Sequence, residues 1–374
     1  MKIGILGTRG IPNTYGGFEQ FAQYLAEGLV EKGHTVCVYN SSTHSYKQPF
    51  WKEVQIIHCA DPENRIGTAG QFIYDLNCLR DAGKRNFDIL LQLGYTSNSV
   101  WHRYWPKNTI NVINMDGLEW KRAKYNKFTQ LFLKWAESLA AKYADVLIAD
   151  SIGIRDHIQR EYQKTAFYIP YGAEVPESFS ISALSKFNLE ANKYYLLIAR
   201  MEPENNVETI IQGYKQSGQH YPLIIVGSTQ NKYGQFLLKK YSSVFIQFPG
   251  AIYDQGVINA LRHFSTIYFH GHSVGGTNPS LLEAMACECN IAAHENVFNK
   301  TILTDDATYF SCADEIKNII NHLSYQDAIS QYRKNNIEKI KTTYSWDKII
   351  NEYEIIFLHA SDKRNNVIGK KNKN

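Results

Sequence analysis

The chain has 374 residues, 44% of them hydrophobic and 20% charged. That is a globular composition, long for one core and suited to two domains. Forty basic residues face 36 acidic ones. Five of the basic residues (Lys363, Arg364, Lys370, Lys371, Lys373) crowd the C-terminal tail, and taking five from 40 leaves 35 against 36. The body is thus near neutral, which excludes a globally basic nucleic-acid binder.

No run of about 18 apolar residues is available to span a membrane. Six scattered cysteines make no disulfide framework. Cys287-x-Cys289 has one spacer and no answering pair, so buried thiols are expected there. The chain opens on MKIGILG with no signal-peptide core, and a cytosolic location is expected.

Strands and helices alternate from the first residue. KIGILG (2–7) reads as a buried strand, and a helix follows over 18–33 with Phe21, Leu25, Leu29 and Val30 on one face and Gly33 as its stop. Further strands are read at 35–40, 54–60, 88–94, 109–115, 145–150 and 166–172, with helices at 127–143 and 151–162. The polar stretch 173–193 reads as a linker. Alternation restarts with strands at 194–199, 221–227, 244–250, 266–271 and 290–295, and closes on helices near 325–344 and 346–360. Near-continuous apolar strands between helices predict parallel sheets covered on both faces. The fold class is therefore α/β, with two doubly wound, Rossmann-like domains facing a central cleft. The expected domains are 1–175 and 190–345, then a helix over 346–362 and a basic disordered tail over 363–374. Ligands of such sheets bind beyond the C-terminal strand ends, at the switch point.

The candidate residues all follow strands. HSVGGTNPSLLEAMA (272–286) places a glycine pair, then Pro279 at a helix start, then Glu283 one turn inside. Backbone N–H groups and the positive helix end there suit an anion, with Glu283 reaching hydroxyls beside it; a well-capped core helix is the plainer reading. GTRGIPNTYGGFEQF (7–21) is neither GxGxxG nor a P-loop. Gly16 and Gly17 present N–H groups to a diphosphate or simply turn the chain, and Arg9 adds charge or lies on the surface. Arg200, in ARMEPENN (199–206), grips phosphate oxygens in a fork or pairs with Glu202 or Glu204. Asp116, in INMDGLEWKR (113–122), orients an acceptor hydroxyl or caps a turn, with Glu119 as the alternative carboxylate. His270-Gly271-His272 lacks further ligands at metal spacing and reads as hydrogen-bonding lining, so no metal is expected. Trp101, Tyr104 and Trp105, and the stretch WKRAKYNKFTQLFLKW (120–135), mix aromatics with basic residues. That pattern suits an anionic membrane surface, or else a basic helix face over core aromatics.

On GTRGIPNTYGGFE (7–19), NMDGLEWKR (114–122), ARMEPENN and HGHSVGGTNPSLLEAMA (270–286), the chain resembles the retaining glycosyltransferases of family 4, which have the GT-B fold. Within them it looks like the rhamnosyltransferases of capsule and cell-wall polysaccharide assembly. The resemblance implies that Gly16 and Gly17 meet the donor diphosphate and that Arg200 neutralises it. Gly275, Gly276, Thr277 and Asn278 line the donor sugar and phosphate, and Glu283 binds the ribose as the second Glu of a Glu-x7-Glu motif. Asp116 stands where many relatives carry a His, and Glu119, Trp120 and Arg122 fall on the acceptor side. The final helix crosses back to the first domain. Two departures stand out: the first motif Glu is replaced by Gly275, and a Lys common five residues after the Arg is Asn205. Both occur in the rhamnosyltransferase-like subgroup. The resemblance implies no cofactor beyond a nucleotide-sugar co-substrate, dTDP-rhamnose above others. The acceptor is a glycan or a polyprenyl-diphosphate-linked glycan at the inner membrane face. The alternatives are a nucleotide-sugar epimerase of the same fold and a non-catalytic member of a polysaccharide assembly complex.

Overall fold

The computed structural model describes residues 1–14, 16–122, 125–322 and 326–371, with side chains outside 326–328 and 367–371. The chain divides into two compact units. The first comprises Met1–Trp120, Lys127–Tyr171 and Trp346–Asn374; the second comprises Gly172–Ser345 together with Lys121–Asn126.

The first unit is built on eight strands: β1 (Lys2–Leu6), β2 (Thr35–Ser41), β3 (Phe50–Trp51), β4 (Val54–Cys59), β5 (Ile89–Leu93), β6 (Ile110–Asn114), β7 (Val146–Ala149) and β8 (Phe167–Tyr168). Their order is β3-β4-β2-β1-β5-β6-β7-β8, all parallel except the β3–β4 edge pair. The order reverses between β1 and β5, so the loops after these strands flank the switch point. β1, β5 and β6 are almost wholly buried, as strands covered on both faces must be. The strand expected over 166–172 shortens to two residues, because Pro170 has no N–H to continue the ladder.

The last helix, Trp346–Lys371, packs in this first unit. Trp346 stacks on Tyr24 with ring centroids 4.6 Å apart. The Tyr353 hydroxyl accepts the Asn114 Nδ2–H at 3.0 Å. Ile350 fills the space that a side chain at Gly28 would need. The helix runs through Lys371 rather than stopping at 362, so residues 363–371 are helical where a disordered tail was expected. Lys373 and the side chains of Lys370 and Lys371 lie outside the described residues.

The second unit holds β9 (Tyr195–Ile198), β10 (Leu223–Val226), β11 (Ile246–Gly250), β12 (Ile267–His270), β13 (Ile291–His294) and β14 (Thr308–Phe310). All are parallel, in the order β11-β10-β9-β12-β13-β14. This is the 3-2-1-4-5-6 order of a doubly wound sheet, and its switch point lies between β9 and β12. The stretch 173–193 belongs to this unit and carries the 3-10 turn Ile181–Phe187. It is anchored by Leu184, which is buried, and by Phe179, whose ring stacks on His263 at 3.9 Å. It is therefore not a free linker. Ala173 N–H also bonds the Tyr344 carbonyl at 2.8 Å, tying together the two ends of this unit's main segment.

Candidate functional site

The loops after β9 and β12 flank the switch point and are stitched together. The Glu204 carbonyl accepts both the N–H and the hydroxyl of Ser273, at 3.0 and 2.8 Å. Asn206 Nδ2 donates to the Gly271 carbonyl at 2.8 Å. A Cβ at Gly271 would lie 2.1 Å from the Asn205 carbonyl oxygen, so only glycine permits this approach. The His272 carbonyl is gripped in turn by Asn296 and Asn299, at 3.0 and 3.1 Å. Asn205, standing where relatives carry a Lys, is buried and closes its own turn by donating Nδ2–H to the Arg200 carbonyl at 2.8 Å.

Arg200 is exposed at the end of this turn. Among the described residues it makes no ion pair with Glu202 or Glu204, so the structural salt bridge weighed for it is absent. Its charge is felt by His272, which burial first, and then Arg200 and Arg122, together push down to about 3. Arg122 thus sits with the second unit, in the segment Lys121–Asn126. The His270 ring is fully buried and stacks on His272 at 4.5 Å. Neither His270 nitrogen has a partner among the described residues, nor does His272 Nδ1. Burial also holds His270 well below the usual histidine range. Both rings are thus held neutral, His270 fully buried and His272 half-buried.

The turn ahead of the helix Pro279–Ala286 has Gly275 at φ +138°, with nothing within 4 Å of a side chain placed there. Thr277 is buried. Asn278 Oδ1 accepts the Ser280 N–H at 2.9 Å, and its carbonyl takes the Leu281 N–H. Pro279 has no N–H, so the helix tip offers an anion its dipole more than its donors. Asn278 is therefore a helix cap.

Glu283 pairs with Arg262, which reaches its Oε2 at 2.5 Å and the Ser280 hydroxyl at 3.1 Å. Arg262 is 2% exposed and the Glu283 side chain 20%. Burial opposes the guanidinium charge, and Glu283 more than offsets it. Sequence reading missed Arg262; its one signal is a cation on an otherwise apolar helix face with Val257, Ile258 and Leu261.

In the first unit, Gly16 caps the helix Gly17–Glu31, and Glu19 accepts the Arg9 N–H at 2.8 Å while the Arg9 guanidinium pairs with Glu63. Tyr15 lies outside the described residues. Asp116 follows β6 and hydrogen-bonds the buried Tyr171, whose hydroxyl is pushed up by burial and then by Asp116. The loop beyond is held by Tyr95, whose hydroxyl accepts the Glu119 N–H and lies 3.3 Å from the Gly117 carbonyl. Trp120 donates its indole N–H at 3.0 Å to Glu137, which also takes His157 and Tyr162 at 2.7 Å each. Burial would raise the Glu137 carboxyl, but the His157 and Tyr162 hydrogen bonds outweigh it and hold it low. Trp105 is core, and Trp101 is tied by its indole N–H to the Phe72 carbonyl.

The helix Lys127–Tyr143 sorts its aromatics. Leu133, Ala136 and Ala140 face the core. Phe128, Leu131, Phe132 and Trp135 are 84%, 67%, 37% and 50% exposed. The spacing 128, 131, 132, 135 makes them one stripe, flanked by exposed Lys127 and Lys134. The helix's one acid, Glu137, is buried. Ala123 and Lys124 lie outside the described residues. Among the described residues no helix is long and apolar enough to cross a membrane, and no three His, Cys, Asp or Glu side chains converge as metal ligands.

A family model for glycosyl transferases group 1 matches residues 183–341, and a domain of unknown function, DUF1972, matches residues 1–174. Sucrose-phosphate synthase from Thermosynechococcus elongatus superposes with a TM-score of 0.81 at 17% identity, covering 96% of this chain and 98% of that one. Anabaena HepE, solved in complex with UDP and glucose, gives 0.74 at 15% identity, covering 96% and 100%. An uncharacterized glycosyltransferase of Methanocaldococcus jannaschii is 29% identical over 258 residues, 62% of this chain and 63% of that protein. The match therefore spans less than two thirds of that relative's length. The fold is that of the GT-B glycosyltransferases. Over residues 183–341 the chain matches the model of the glycosyl transferases of group 1.

Glu283→Ala strands the buried Arg262 guanidinium and lowers stability by about 3–5 kcal/mol. Arg200→Ala, at an exposed position, changes it by about 0.5 kcal/mol or less. Urea melts of the two variants check the contrast; equal midpoints would dismiss the ion pair as a support. Because His272 is held unprotonated in the fold, its contribution is complete above pH 6.5 and is lost progressively as pH falls toward 3. Thermal melts between pH 7 and pH 4 are expected to fall less steeply for His272→Gln than for the parent.

Proposed function

We propose that this protein transfers a sugar from a nucleotide-sugar donor with retention at the anomeric carbon. One observation carries the reading: the β9 and β12 loops are hydrogen-bonded to each other at the second unit's switch point, with the exposed Arg200 on one and the glycine turn and dipolar helix following the other, and the Arg200 charge is felt at His272. Arg200 and the backbone of Gly275, Gly276, Thr277 and Asn278 take the diphosphate and sugar. Glu283, locked in place by Arg262, presents its remaining exposed edge to the ribose. The first unit's share is assigned to Gly16, Gly17 and Asp116. The acceptor hydroxyl oxygen bonds to the anomeric carbon on the face that the diphosphate leaves. The carbon–oxygen bond to phosphorus breaks with its electron pair, and a diphosphate oxygen takes the hydroxyl proton. Stabilising the departing charge is the main task, and one preorganised contact is worth roughly 3 kcal/mol. No metal or cofactor enters this proposal. Gly275 and Asn205 favour a dTDP-activated 6-deoxyhexose such as L-rhamnose, because both departures accompany the rhamnosyltransferase-like resemblance.

The acceptor in this reading is a glycan carried on a polyprenyl diphosphate. The aromatic stripe of helix Lys127–Tyr143, edged by lysines without an exposed acid, fits an anionic bilayer at the inner membrane face: rings at the headgroup level, lysines against the lipid charge. One Lys134 partner, Glu161 at 3.9 Å, trims that charge without reversing it.

Arg200→Ala is expected to slow transfer by two or more orders of magnitude with its fold intact, as measured by release of nucleoside diphosphate from dTDP-L-rhamnose and UDP-glucose in the presence of lipid-linked glycan. Undiminished turnover would remove Arg200 from the reaction. In flotation with vesicles, the parent is expected to rise with those containing phosphatidylglycerol and not with pure phosphatidylcholine. The double variant Phe128→Glu, Leu131→Glu stays at the bottom. A stripe that instead pairs two copies would appear as a dimer lost in that variant, with no flotation by either protein.

A further inference from the structure

Glu204 has no place in the scheme above, yet its setting is unusual. It lies in the short turn Pro203–Asn205, and its backbone is fixed: its carbonyl takes both Ser273 donors, while the neighbouring Asn205 and Asn206 side chains tie the same turn to Arg200 and Gly271. Its side chain is the opposite case. Both carboxylate oxygens are shut off from solvent, and no donor among the described residues reaches either. A buried polar group without a hydrogen bond costs a folded protein stability, and a carboxylate costs more than most. The energetic debt is settled when a ligand supplies the donors.

Two residues beyond Ser273, at Gly275, the chain offers no side chain and open space around the position, with a φ of +138° that disfavours any other residue. The loop that would carry a sugar-binding carboxylate in the enzymes this chain resembles therefore carries none. The adjoining loop, pinned to it through Ser273, carries one with both oxygens unused. We infer that the Glu204 carboxylate binds a pair of hydroxyls on the donor sugar, standing in for the carboxylate absent at position 275. Two carboxylate oxygens facing two adjacent hydroxyls form a bidentate contact of charge-assisted hydrogen bonds. The inference rests on the proposed nucleotide-sugar reading, and it makes Glu204 a determinant of sugar recognition rather than of diphosphate binding.

The test compares the parent with Glu204→Gln and Glu204→Ala by calorimetric titration of dTDP, UDP, dTDP-L-rhamnose and UDP-glucose, alongside thermal melts. The expected result is sugar-specific. Both variants bind the free diphosphates within about twofold of the parent, bind the preferred nucleotide sugar at least tenfold more weakly, and melt no lower than the parent without ligand. A melting temperature that drops in both variants, with diphosphate and nucleotide-sugar affinities falling together, would make Glu204 structural and overturn the inference. So would unchanged nucleotide-sugar affinity. A parent that binds none of the four ligands would instead overturn the nucleotide-sugar reading itself, and this inference with it.

Discussion

The site depends on one close approach: the Gly271 backbone against the turn Glu202–Asn206. Strand order places the β9 and β12 ends side by side, but adjacency alone does not set two flexible loops. Gly271 lets the chains touch, and the Ser273 and Asn206 hydrogen bonds then fix the register between them. Every residue of the second unit given a donor-side role lies on one of these two loops or on the helix that follows them. Preorganisation matters here because a site that must rearrange to meet a developing charge loses the electrostatic advantage of fixed dipoles. The asparagines beneath His272 extend the same device, holding the loop from its far side.

Below the loops, the unit accepts costly groups. A guanidinium, an imidazole and both oxygens of a carboxylate are buried within a few residues of β12 and β9, with a second imidazole half-buried, and several of their polar atoms have no partner among the described residues. Such groups are poor contributors to stability. They cluster around the two central strands of a unit whose core is otherwise leucine, isoleucine, tyrosine and phenylalanine, the kind of concentration on which a binding-site proposal rests. The Arg262–Glu283 pair is the exception in being ion-paired, through Arg262 Nη2 alone, and it holds the glutamate in one place. In the first unit, Glu137 plays the comparable part with four donors around it, positioning the loop that begins at Asp116.

Much of this architecture was legible in the chain. Buried parallel strands read as apolar runs, and β1, β5, β6, β9, β10 and β12 fall where those runs lie. What escaped is short or non-local. β3 and β14 are two and three residues long, too brief for periodicity to register. The stretch 173–193 looked like a linker because it is polar, yet a few anchors such as Leu184 suffice to dock it. The end of the last helix was misjudged because basic residues suggested a disordered tail, while the helical backbone continues through Lys371. Arg200, Gly275 and Glu283 were singled out by spacing and by the family resemblance, and they lie on the loops and helix that follow β9 and β12. Arg262 was not, since a single Arg on a helix does not announce its burial. Glu204 was read as a partner for Arg200, and the sequence holds no hint that its carboxylate would instead be sequestered. The cap hydrogen bond of Asn278 Oδ1, local to the helix start, was not singled out in the sequence.

The central claim is that the paired loops at the second unit's switch point receive a nucleoside diphosphate. Hydrogen–deuterium exchange with and without saturating dTDP or UDP tests it most directly. The account predicts slowed exchange concentrated in 199–206 and 271–286, with the other strand ends of that unit unchanged. Slowed exchange confined to other segments, or none at saturation, would contradict it.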